Sequence, residues 1–141
     1  MMTDLELLFT RASQASDQAI EKIQLYDHPL LTLLKETLQK QQEALLSLLY
    51  VLRQKEDHPP IESFKNDCSI AYHANEMANS FFQSWTRAVD WMKLPSKAIV
   101  PDVKIAMDQM KNSFDEAANE MESVYGFAKV KYVISTFYLP A

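Results

Sequence analysis

The chain holds one glycine, Gly126, in 141 residues. Sheet-rich folds place glycine at hairpins, tight turns and bulges. Loops that cradle phosphate need several glycines close together. A near absence of glycine argues against both. It favours long helices joined by turns that proline marks. Cysteine is equally scarce: Cys68 stands alone, so an intrachain disulfide is impossible. No dense basic run occurs, and the net charge is −5 from 14 basic and 19 acidic residues. Nucleic-acid binding wants a basic face. Lys93, Lys97 and Lys104 come nearest to one, and they flank a predicted loop, so no nucleic acid is expected as a partner. The longest strongly apolar run, residues 44–52, falls short of the roughly 20 residues a membrane helix needs, so no transmembrane segment is expected. The first six residues, Met1-Met2-Thr3-Asp4-Leu5-Glu6, lack the basic and apolar regions of a secretory signal. The expected location is cytoplasmic.

What is present is apolar periodicity. Hydrophobic residues make up 48% of the chain and charged residues 23%, a balance suited to one globular domain over residues 1–141. Four stretches repeat apolar residues at three-four spacing, the signature of amphipathic helices. Breaks fall at Asp27-His28-Pro29, at Glu56-Asp57-His58-Pro59-Pro60 and at residues 95–101. The reading is all-α: an up-down-up-down antiparallel four-helix bundle with helices over about 4–26, 30–55, 60–93 and 102–138. The last is read as continuing past Gly126, the place where a kink is expected.

Helix one begins after Thr3, which with Glu6 makes a capping-box pattern. Its seam reads Leu5, Phe9, Ala12, Ser16, Ala19, Ile23, with Leu8 and Ala15 as a rival seam. The alanines suggest a close approach to a neighbour. Helix two carries Leu31, Leu34, Leu38, Gln41, Leu45, Leu48 and Leu52. Helix three carries Phe64, Cys68, Ala71, Asn75, Ala78, Phe82, Trp85, Val89 and Met92. Helix four carries Val103, Met107, Met110, Phe114, Ala117 and Met121.

Each of the first three seams has one polar interruption: Ser16, Gln41 and Asn75. In antiparallel packing, residues of one layer have position numbers that add to a constant. The register that sets Leu45 against Ala71 and Leu34 against Phe82 also sets Gln41 against Asn75. The same treatment puts Ser16 level with Gln41. For helices three and four it pairs Trp85 with Phe114, Ala78 with Met121 and Met92 with Met107. Asn75 then meets Val124, with Tyr125 beside it. Ser16, Gln41, Asn75 and Tyr125 are therefore the candidate polar core layer. Such a layer either fixes register or lines a small-ligand pocket.

Chemistry is thinly represented. A carboxylate di-metal bundle needs Glu-x-x-His on two helices. His28, His58 and His73 each lack a glutamate three residues earlier, and His73 with Glu76 gives only the reverse spacing. Asp115, Glu116, Glu120 and Glu122 read as a solvated helix face. Cys68 lies on a seam and reads as a small core residue. No enzyme activity, catalytic residue, metal or cofactor is expected.

Surplus apolar surface is the remaining signal. Leu46 and Tyr50, one turn apart, point away from the helix-two seam, and Trp91 points away from that of helix three. Either another chain covers them or another part of this chain does. They are the candidate interaction surface of a non-enzymatic interaction module (an adaptor, chaperone or regulatory subunit) that self-associates or binds a protein partner. Two alternatives stand beside it. One is peripheral hydrophobic-surface binding, as an amphipathic coat on a lipid or polymer granule, phasin-like in architecture only. The other is a small-ligand binder that uses the polar layer.

Overall fold

A computed structural model describes residues 4–53 and 61–125. Four α-helices run in order: α1 Asp4–Ile23, α2 Pro29–Arg53, α3 Ile61–Met92 and α4 Val100–Tyr125. A 3₁₀ segment, Pro95–Ile99, joins α3 to α4. Among the described residues there is no strand. The four form the expected four-helix bundle. The expected Thr3 cap, the expected end of helix two near residue 55, His58, Pro60, Gly126 and everything beyond Tyr125 lie outside the described residues.

The ends differ from expectation by local chemistry. Helix one was expected to reach residue 26 and stops at Ile23. Its last α-type bond runs from the Gln24 amide to the Ile20 carbonyl, and Tyr26 then bonds only to Ile23 in a tighter turn. Helix two starts at Pro29, one residue early, because His28 caps it. The Leu30 amide donates to His28 Nδ1 at 3.1 Å, so an imidazole nitrogen fills the place a serine or aspartate oxygen usually takes. Pro29 follows at the first helical position, where its missing amide costs nothing.

Helix three stops at Met92 because Lys93 is left-handed, with φ 53°. The Leu94 amide donates to the Val89 carbonyl at 3.3 Å. This six-to-one bond closes a Schellman motif, and Leu94 packs on the cluster that holds Val89. Glycine usually occupies the left-handed position, and this chain uses lysine. The 3₁₀ segment then folds back under the bundle end: Trp85 Nε1 donates to Ser96 Oγ at 3.1 Å, and Ile99 is buried. Helix four therefore starts at Val100 rather than near 102.

The closest backbone approaches are α2 with α3 and α1 with α4. Small side chains allow both. Ala12, Ala15 and Ala19 of α1 and Ala106, Ala117 and Ala118 of α4 are all buried. Both rival seams of helix one are used, since Leu8 and Ala15 are as enclosed as Leu5 and Ala12. Larger rings sit where α3 approaches α4: Tyr72 meets Phe114 edge-on, with ring centres 4.7 Å apart.

The expected register of α3 against α4 is wrong. Cys68 Sγ lies 3.6 Å from Met121 Sδ, and the Tyr72 hydroxyl donates to the Phe114 carbonyl. Trp85 instead shares a cluster with Val103, Met107 and Met110, and Met92 is exposed. The error is roughly three helical turns. Residues 95–101 are not a free connector. The Schellman turn and the 3₁₀ segment start α4 directly beneath Trp85, so α4 begins lower along α3 than the seam alone suggests.

Replacing Lys93 with glycine should raise the unfolding free energy in urea by about 0.5–1 kcal/mol, because a β-carbon is disfavoured at positive φ. A loss of stability in Lys93→Gly would contradict the left-handed cap.

Candidate functional site

The middle of the bundle is where the sequence placed its polar layer, and the packing divides there. One apolar cluster contains Phe9, Ala12, Leu45, Leu48, Cys68, Ala71 and Phe114. The other contains Ala15, Leu34, Leu38, Ala78, Trp85, Met107 and Met110. Between them lie Ser16 on α1, Gln41 on α2 and Asn75 on α3, all buried. Gln41 and Asn75 sit where α2 and α3 pass from one cluster to the other, and Ser16 follows Ala15 at the edge of the second cluster.

Gln41 Nε2 donates to Asn75 Oδ1 at 3.3 Å. The amide pair expected from the register of α2 and α3 is therefore formed. Ser16 lies at the same level, but its hydroxyl donates to the Leu38 carbonyl at 3.4 Å rather than to Gln41. The next α2 residue, Gln42, reaches α1 at the surface, where its Nε2 meets the Ser13 carbonyl and Asp17 Oδ1. The α1–α2 register is thus pinned from inside and outside the bundle.

Tyr125 does not align with this layer. Its side chain lies outside the described residues, and the Cys68–Met121 contact puts the α4 backbone at Asn75's level well before Met121. The passage between clusters on α4 falls between Met110 and Phe114, and the buried polar residue there is Ser113. Ser113 also lines the outer groove between α1 and α4, beside Gln109, Asn112 and Glu116. Of the two polar neighbours of Phe114, Ser113 is buried and Asp115 exposed, and the misplaced α3–α4 register hid that difference.

Magnitudes decide what the layer is for. A satisfied buried hydrogen bond contributes roughly 0.5–1.5 kcal/mol, and a buried polar atom without a partner costs roughly 1–3 kcal/mol. Gln41 has both, since its Oε1 is buried and unpartnered. The net return is near zero or negative. Leucine at both positions would join the two apolar clusters, so the pair is not the most stable filling of this space.

The remaining polar groups are spent locally. His73 and Glu76 are exposed on α3, as the seam requires. Lys97 pairs with Asp90 and Lys104 with Asp108, so the nearest approach to a basic patch is partly neutralised. Among the described residues no group of acidic, histidine and cysteine side chains converges as metal ligands would.

Two titrating groups are enclosed. Burial pushes the Cys68 thiol from 9.0 up to about 12, with the charge of Asp67 adding to the effect. Burial likewise raises the Tyr72 phenol, helped by Cys68 and Asp115. A raised thiol disfavours the thiolate, which is the nucleophilic form. Cys68 is accordingly core material, as its place on the seam implied.

Leu46, Tyr50 and Trp91 are 60%, 67% and 88% exposed. They do not form one patch. From the Gln41–Asn75 contact, Tyr50 lies towards one end of the bundle and Trp91 towards the other. The rise of a helix puts roughly 35–40 Å between them along the axis. Trp91 has Met92, 59% exposed, beside it. No described helix is long and apolar enough to cross a membrane. No family model, curated protein or solved structure matches the chain.

Two outcomes follow. Asn75→Leu alone should cost about 1–3 kcal/mol in urea unfolding, because it strips Gln41 of its partner, and adding Gln41→Leu should recover that loss or exceed it. A single variant as stable as the parent would mean the pair is not formed. Stability should also fall with rising alkaline pH. Below pH 9.0 the thiol is protonated in both states and its contribution is complete; from there to about 12 only the unfolded chain releases the proton. A Cys68→Ala variant should lose less stability across that interval than the parent, by equilibrium unfolding at each pH.

Proposed function

We propose that this chain is a non-enzymatic helical interaction module, an adaptor, chaperone or regulatory subunit that works by presenting apolar side chains, including to a second copy of itself. The observation that carries the reading is the exposure of Leu46 and Tyr50, one turn apart on α2, on a bundle whose interior is already filled by other residues. The seam of α2 supplies Leu45, Leu48, Leu49 and Leu52 to the core without them. They therefore add nothing to the packing of the described helices, and burial against another chain would recover their hydrophobic free energy. Trp91 and Met92 form a second, smaller apolar site at the far end.

The amides of Gln41 and Asn75 are committed to each other, which favours their use in aligning the helices over ligand capture. The surface-coat reading rests on amphipathic helices in general, and no particular residue favours it here.

Sedimentation equilibrium at micromolar concentration tests the proposal. The parent should associate, and Leu46→Ser with Tyr50→Ser should weaken association at least tenfold, a loss of about 1.4 kcal/mol, with unfolding unchanged. A parent that stays monomeric throughout the range would defeat self-association. Equal association in the double variant would move the contact away from α2.

A further inference from the structure

The two apolar clusters divide the interior of the bundle into halves. We propose that the bundle opens by halves at the polar layer, with the half around Phe9, Leu48, Cys68 and Phe114 separating while the half around Trp85 stays closed.

Three observations point there. First, the clusters meet at Ser16, Gln41 and Asn75, and this boundary is incompletely bonded. Gln41 Oε1 has no partner, and the Ser16 bond is long at 3.4 Å. Separating the halves there gives up little polar bonding and lets water reach an oxygen that lacks a partner. Second, the connections are asymmetric. The α1–α2 turn and the α3–α4 turn both lie at the Trp85 end. There the His28 cap, the Schellman turn at Lys93 and the Trp85–Ser96 bond hold them. The other half contains the start of α1 and the last described turn of α4, which must stay together by packing. Third, polar ties from α3 to α4 in that half run through side chains, with the Tyr72 hydroxyl on the Phe114 carbonyl and Cys68 Sγ on Met121 Sδ. The Tyr72 bond is released when that side chain turns about its Cα–Cβ bond. Parts of a protein can open independently when packing inside each unit exceeds packing between units.

The chain carries its own reporters. Cys68 is the only cysteine and is buried in the opening half. Trp85 is fully buried in the other half, and the second tryptophan, Trp91, is exposed. In the full chain carrying Trp91→Phe, Cys68 labelling by an aromatic disulfide reagent at pH 8 is followed across low urea, together with Trp85 fluorescence. The slope of each free energy against urea reports the surface exposed in that event. Labelling should proceed through an opening whose slope is roughly half that of the Trp85 transition, at urea concentrations where Trp85 is still native. Equal slopes and equal free energies would overturn the proposal, since the bundle would then be one cooperative unit. A slope near zero would overturn it too, because only a local fluctuation at Cys68 would be involved. With leucine at both Gln41 and Asn75, labelling should slow by roughly tenfold or more as the halves merge. An unchanged rate in that variant would show that the boundary does not govern the opening.

Discussion

Gln41 and Asn75 face each other between two apolar clusters, with the Ser16 hydroxyl buried beside α2 at the same level. A slip of α2 along α3 by one turn would still place leucines against small residues and rings, because the seams repeat. It would leave two buried amides facing hydrocarbon, at roughly 1–3 kcal/mol each. Apolar packing alone therefore permits several alignments of these helices, and the amide pair selects one. The pair adds little or nothing to stability once the unpartnered oxygen of Gln41 is counted. Its consequence is specificity of alignment, the use for which a single buried polar residue is best attested.

Other features take their positions from that alignment. At the far end of α3 the 3₁₀ segment reaches Trp85 through Ser96, and α4 starts beneath it. Helix four then carries Phe114 to Tyr72 and Met121 to Cys68. Alanines on α1 and α4 close the last seam at short range. The same alignment divides the interior into two clusters and sends Leu46 with Tyr50 to one end and Trp91 to the other. What faces outward is therefore tied to the same two amides that hold the inside in register.

Much of this was legible in the residues, and the exceptions have physical reasons. Three-four spacing identified the helices, since each is long enough for the pattern to repeat several times. Gln41 against Asn75 could be read because α2 and α3 are each unbroken and their seams have equal period. Spacing set Ser16 level with Gln41 but could not name its acceptor, the Leu38 carbonyl, because spacing carries no information on backbone acceptors. The α3–α4 alignment failed because seams of equal period match at several offsets. The connector chooses between them, and its geometry depends on a left-handed lysine that sequence pattern does not announce. Ser113 was missed for that reason. The outward direction of Leu46, Tyr50 and Trp91 followed from the seams; that they lie far apart along the axis required the register.

The central claim is that the Gln41 amide is held by Asn75 and thereby aligns α2 with α3. The most direct measurement is a nitrogen-edited nuclear Overhauser experiment on the folded chain, read from the side-chain amide protons of Gln41. These protons should show contacts to Asn75 and to both flanking layers, with exchange against water slow on the scale of the experiment. Contacts from Gln41 to Ala71 or Ala78 in place of Asn75, or rapid exchange with water, would contradict the account.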